Sequence, residues 1–130
     1  MIVAIDGPSG AGKGTVARAL ARELGYRYVD TGAMYRAIAL QALRDGIDLA
    51  NESAVEHVAQ EAVINFEGGR TVVNGHDVTE AMRTPEGDVA AASVARLPAV
   101  RRVLVARQRA FGKGGRLVME GRDIGTVVFP

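Results

Sequence analysis

Cysteine and tryptophan are absent from this chain. Without cysteine there are no disulfides and no thiolate metal sites. Aromatic residues are confined to three tyrosines and three phenylalanines, too few to expect platforms for stacking bases. No charge of one sign dominates. The formal net charge is +1, which makes no electrostatic case for nucleic-acid binding. Long hydrophobic runs are missing too. Apolar residues make up 48% of the 130, yet no stretch approaches a membrane span. No basic segment precedes the first apolar stretch, and Ile2 to Ile5 is too short for a secretory signal. These absences predict a cytoplasmic protein with no membrane or nucleic-acid partner; separately, a monomer is expected. Its length suits one domain with a sizeable core.

What is present is concentrated near the start. Gly7-Pro8-Ser9-Gly10-Ala11-Gly12-Lys13-Gly14-Thr15 follows the apolar run Ile2 to Ile5 and precedes a helical pattern. Strand, glycine-rich loop and helix in that order form the context of a phosphate-binding loop. Glycines let backbone N–H groups approach phosphate oxygens. The helix N-terminus adds a favourable dipole, and Lys13 a mobile positive charge. Gly7, Gly12 and Lys13 satisfy G-x-x-x-x-G-K-[ST] up to its last position, where Gly14 stands and Thr15 comes one residue late. A dinucleotide fold would require G-x-G-x-x-G, whereas Gly10, Gly12 and Gly14 are spaced two and two. Asp30 could imitate the acidic ribose ligand of such a fold, but Lys13 would have no role in it.

Further along, the spacing predicts a helix over 13–24 with Val16, Ala17, Leu20, Ala21 and Leu24 inward, ended by Gly25. A strand over 26–30 and a helix over 31–44 follow, the latter with Met34, Ile38 and Leu43 inward and closed by Asp45-Gly46. Asn51 or Ser53 caps a helix over 52–60. The pattern then changes. Residues 62–67 alternate, with Val63 and Phe66 among the apolar members. Gly68-Gly69 makes a turn before a strand over 70–73, and Asn74-Gly75 is a type I′ hairpin signal before His76-Asp77-Val78. Helices over 85–96 and 98–111 follow, with Pro98 suited to a helix start. After a loop at 112–115, Leu117-Val118-Met119 is a buried strand with Glu120-Gly121-Arg122-Asp123 at its carboxyl end, where ligands sit in open α/β sheets. Val127-Val128-Phe129 opens another apolar run.

The predicted fold is α/β: a phosphate-loop nucleoside triphosphate-binding fold, its parallel sheet flanked by helices, with an inserted antiparallel hairpin region. Residues 1–60 and 112–130 would form the core and 61–111 the insertion. The strands counted are fewer than a doubly wound sheet needs, so the sheet is expected to be incomplete in this chain, as in the N-terminal piece of a longer protein.

Candidate chemistry is carried by a few side chains. Thr31 suits a helix cap. Arg36 is either a solvated charge or a phosphate fork, since guanidinium binds phosphate through two parallel hydrogen bonds. Beyond residue 80, Arg83, Arg101, Arg102, Arg107, Arg109, Arg116 and Arg122 make the chain arginine-rich. Arg122, at a strand end between Gly121 and Asp123, stands out. Glu120 and Asp123 could tether a magnesium-bound water, position a hydroxyl or hold the arginine. His57 and His76 have no partner in sequence and read as surface or packing residues.

Four segments together resemble the bacterial cytidylate kinases: residues 5–15, then Asp30-Thr31-Gly32-Ala33-Met34-Tyr35-Arg36, then Val73 to Val78 leading to Met82-Arg83-Thr84, and finally Glu120 to Pro130. The Gly-Lys-Gly-Thr variant of the loop is itself typical of nucleoside monophosphate kinases. The resemblance implies transfer of the γ-phosphoryl group of ATP to CMP or dCMP, with magnesium arriving with ATP and Thr15 a candidate contact for it. It implies that Gly7, Pro8, Ser9, Gly10, Ala11, Gly12, Lys13, Gly14 and Thr15 cradle ATP. Thr31, Tyr35 and Arg36 would belong to the monophosphate site, and Arg101 and Arg122 would hold the acceptor phosphate. Asp123 would touch the sugar or organise Arg122. Lys13, Arg122 and Asp123 are the implied catalytic residues, and the hairpin with its following helices resembles an enlarged monophosphate-binding region.

In one place the chain departs from that family. Ala92 stands where the family has a cytosine-contacting serine, with Ser93 next to it; a shift or bulge there would let Ser93 substitute. The family also continues past Pro130 with further strands and an arginine-bearing lid, so the 130 residues alone are expected to bind phosphate with negligible turnover. A kinase for another small molecule, such as shikimate or gluconate, and a nucleotide-binding module without transfer are the alternative readings.

Overall fold

The computed structural model describes residues 1–7, 13–66, 68–121 and 124–129, without the side chains of residues 13 and 126. In chain order the strands and α-helices are β1 (Ile2–Asp6), α1 (Lys13–Leu24), β2 (Arg27–Asp30), α2 (Thr31–Arg44), α3 (Glu52–Glu61), β3 (Ile64–Asn65), β4 (Val72–Val73), β5 (His76–Asp77), α4 (Pro85–Ala95), α5 (Pro98–Phe111) and β6 (Leu117–Gly121). Two compact units divide the chain: Met1–Gly32 with Val105–Pro130, and Ala33–Leu104. Compactness groups α3 and most of α2 with the hairpin, and residues 105–111 of α5 with the first unit.

The first unit is built on a parallel sheet in the order β1-β6-β2. Its central strand is buried at all five residues, as a strand covered on both faces should be. Register places Ile5 and Asp30 on either side of Glu120. Helix α1 packs Ala17 and Ala21 against Val118, with Val3, Ile5, Leu20, Tyr26 and Tyr28 around them. Two expected inward residues are not inward: Val16 is 60% and Leu24 39% exposed. The two alanines set the line of closest approach. Val16 lies about 100° round the helix from Ala17, and Leu24 is at the helix end. Residues Ile124–Val128, expected as the approach to an apolar run, form a single π turn closed by the N–H of Phe129 donating to the carbonyl of Ile124 (2.8 Å).

In the second unit α2 buries Met34 and Ile38 completely, together with Ala37 and Ala42. Leu43, expected inward, is 50% exposed; five residues beyond Ile38 it points about 140° away. Asn51 caps α3, accepting from the N–H of Ala54. Strands β3, β4 and β5 form an antiparallel sheet in that order. At its turn Asn74 (φ 49°) and Gly75 (φ 80°) both adopt the positive φ of a type I′ turn, with Val73 opposite His76. Strand β4 is shorter than the expected 70–73, and Ile64 supplies the buried side chain of β3. Thr84 caps α4 through the N–H of Gly87, and the carboxylate of Glu52 accepts from the N–H of Ala99 in the first turn of α5 (2.9 Å).

Candidate functional site

Strand β1 ends at Asp6 and α1 begins at Lys13, so the glycine-rich segment does join a strand to a helix as its pattern requires. Pro8, Ser9, Gly10, Ala11, Gly12, Arg122 and Asp123 lie outside the described residues, as does the Lys13 side chain. What surrounds them is well defined. The N–H of Gly7 donates to the carbonyl of Gly121 (3.2 Å), tying the start of the loop to the end of β6. The Asp6 carboxylate accepts from the N–H groups of Ile124 (2.7 Å) and Gly125 (3.1 Å), and so fixes the chain on the far side of Arg122 and Asp123. Arg109 holds the other end of that turn, donating to the carbonyls of Val127 and Val128.

Glu120 is the charged side chain the central strand brings to this end of the sheet. It is 3% exposed. Tyr28 of β2 donates to its Oε1. A β carbon on Gly14 would stand 3.2 Å and 3.5 Å from the two carboxylate oxygens and 3.4 Å from Nη1 of Arg18. A side chain at residue 14 would therefore start in tight contact with the Glu120 carboxylate, which has to give by a few tenths of an ångström to admit it. Burial pushes the Tyr28 phenol far above the ordinary range, reinforced by its hydrogen bond to Glu120 and the nearby charge of Asp30. It therefore remains a donor throughout the neutral range.

The residues assigned to an acceptor nucleotide are placed as follows. Thr31 is the first residue of α2, and its buried hydroxyl donates to the carbonyl of Glu120 (2.9 Å). Tyr35 and Arg101 come within electrostatic reach of each other: burial raises the Tyr35 phenol and the Arg101 charge opposes that rise. Arg36 is paired with Asp88 at 3.2 Å, a partner the sequence did not announce. Asp88 is 62% exposed there, and so open a pair contributes little. Ala92 and Ser93 lie on an unbroken α4, and the Ser93 hydroxyl donates to the carbonyl of Val89 (3.1 Å), so no bulge carries Ser93 into the place of Ala92.

Among the described residues, no three of His, Asp and Glu gather as a metal cage, and no helix is long and apolar enough to cross a membrane. Sequence reasoning missed Asp6, Tyr28 and the spatial role of Gly121. A signal existed for Asp6, which ends a parallel strand at its ligand-binding end. Tyr28 gave none, since its partner is 92 residues away.

The family model described as cytidylate kinase matches residues 3–130. A cytidylate kinase of Solibacter usitatus is 54% identical over 130 residues, covering 100% of this chain and 56% of the relative. One from Pelotomaculum thermopropionicum is 55% identical over 133 aligned positions, covering 98% and 59%. One from Caldanaerobacter subterraneus is 49% identical over 128, covering 98% and 57%. The chain thus spans somewhat more than half the length of the curated relatives it matches. On a match that runs through nearly all of its residues, this chain belongs to the cytidylate kinase family.

Proposed function

We propose that the protein transfers the γ-phosphoryl group of ATP to CMP or dCMP, giving the diphosphate, as a cytoplasmic, monomeric enzyme of pyrimidine nucleotide metabolism. The observation that carries this reading is the Glu120 carboxylate at the end of the central strand, set against Gly14 where the loop meets α1, in a chain of this family. Phosphoryl transfer is mostly positioning and charge stabilisation. Gly7 to Thr15 would cradle the ATP phosphates and Lys13 would neutralise the outer ones. Thr31, Tyr35, Arg36, Arg101, Arg122 and Asp123 would serve the acceptor, the arginines as forks on its phosphate. Residues 61–111 would be the region enlarged for that nucleotide.

Magnesium would arrive with ATP. The donor set suits it: one buried carboxylate beside a phosphate loop, not an all-protein cage, is how magnesium is commonly held alongside substrate phosphates. When bound it would spread the charge of the transferring group.

A coupled assay with ATP and a panel of nucleoside monophosphates, run on a chain carried to the full length of its relatives, tests the reading. CMP and dCMP should be the preferred acceptors, and Lys13→Met should abolish ATP binding measured by calorimetry. Preference for another acceptor, or unchanged ATP affinity in Lys13→Met, would overturn it.

A further inference from the structure

Tyr28 and Glu120 share the face of the sheet that α1 covers. Tyr28 is opposite Val118 in register, and Glu120 lies two residues further along β6, so both side chains project toward α1. There the carboxylate meets the phenol hydroxyl and occupies the space beside the Gly14 backbone. A carboxylate at a phosphate-binding loop repels the phosphate oxygens unless a cation stands between them. Where that carboxylate points therefore decides whether it hinders or helps a nucleotide. A free glutamate has three side-chain torsions with which to turn; one held by a phenol on one side and a glycine backbone on the other has few alternatives.

We propose that Tyr28 is a positioning residue that acts through Glu120: its hydroxyl holds the carboxylate in the space Gly14 leaves open, where it serves the divalent cation carried by the nucleotide. The proposal rests on the kinase reading above. It also gives Gly14 a purpose beyond backbone approach to phosphate, since a β carbon there would press on the carboxylate at 3.2 Å.

The test compares ATP binding with magnesium and ATP binding in a chelator, by calorimetry, for the protein and its variants. Tyr28→Phe keeps the ring and removes the hydroxyl. It should weaken magnesium–ATP by about tenfold, the usual scale for losing a group that orients a metal-associated ligand. Metal-free ATP should bind within about twofold of the original protein in this variant. Glu120→Gln should weaken magnesium–ATP at least as much, and adding Tyr28→Phe to it should cause no further loss, because residues acting as a unit are non-additive. A structural role alone would lower both affinities together or add to the effect of Glu120→Gln, and either result overturns the proposal. Should Tyr28→Phe fail to fold, Gly14→Ala presses on the same carboxylate without touching the phenol and must weaken magnesium–ATP more than metal-free ATP. If the original protein does not bind ATP, the kinase reading itself fails. If it binds ATP and Tyr28→Phe matches it with magnesium, only the role of Tyr28 fails.

Discussion

A β carbon on Gly121 would stand 1.8 Å from the hydroxyl oxygen of Thr31. That hydroxyl donates to the carbonyl of Glu120 and joins the first residue of α2 to the end of the central strand. Gly121→Ala cannot keep this approach and should cost about 3 kcal/mol, the upper part of the usual range for overpacking. Denaturant unfolding reads this directly. Adding Thr31→Ala should recover part of the loss, because the clash is shared by the pair; strict additivity would show that the strain lies elsewhere.

Asp6 and Arg109 grip opposite ends of the turn over 124–128. Asp6→Ala leaves the N–H groups of Ile124 and Gly125 without their acceptor and should lower stability by about 1–2 kcal/mol. Asp6→Asn keeps one acceptor oxygen and should cost less. A thermal shift ranking the two variants the other way would contradict the hydrogen-bonding account.

In the hairpin, Arg70 bridges Asp77 (2.9 Å) and Glu80 (2.7 Å). The Arg70 guanidinium, helped at Asp77 by Thr79, holds both carboxyls below their usual range. Folded-state values that are depressed mean stability present above the unfolded values of about 4 and lost as pH falls below them. The melting temperature of the protein should therefore drop between about pH 4.5 and 2 more steeply than that of Arg70→Ala. Parallel curves would remove the pair from the acid response. Because the network is exposed, the difference should shrink in high salt.

The opposite sign applies to the half-buried phenols. Tyr28 and Tyr35 are raised, both chiefly by burial, so their contribution is complete below the unfolded phenol value of about 10 and is lost as pH rises past it. Alkaline unfolding should be less pH-dependent in Tyr28→Phe than in the original protein. An absorbance titration should show one phenol fewer among those that ionise only on unfolding.

Much of the local architecture was legible in the sequence. The strand–loop–helix around residues 7–15, the Asn74-Gly75 turn, the cap at Asn51 and the helix start at Pro98 all depend on backbone preferences or hydrogen bonds that span a few residues. Helix faces were less legible. The periodicity that correctly buried Met34 and Ile38 also pointed Val16, Leu24 and Leu43 inward, and these are exposed. Periodicity gives the angle of a side chain about its own helix, but not the width of the surface the helix meets or where that surface ends.

By itself, then, the sequence determined the glycine-rich segment between a strand and a helix, the family, and the order of the elements, since each is written in neighbouring residues. Only the tertiary structure decided what stands around the loop. The parallel pairing of β1, β6 and β2 brings Tyr28 to Glu120 across 92 residues and Asp6 to Ile124 across 118. No local signal encodes such distances. They arise when Val118, Ala17 and Ala21 pack and the strand register becomes fixed. That same packing sets the Glu120 carboxylate 3.2 Å from where a β carbon on residue 14 would stand.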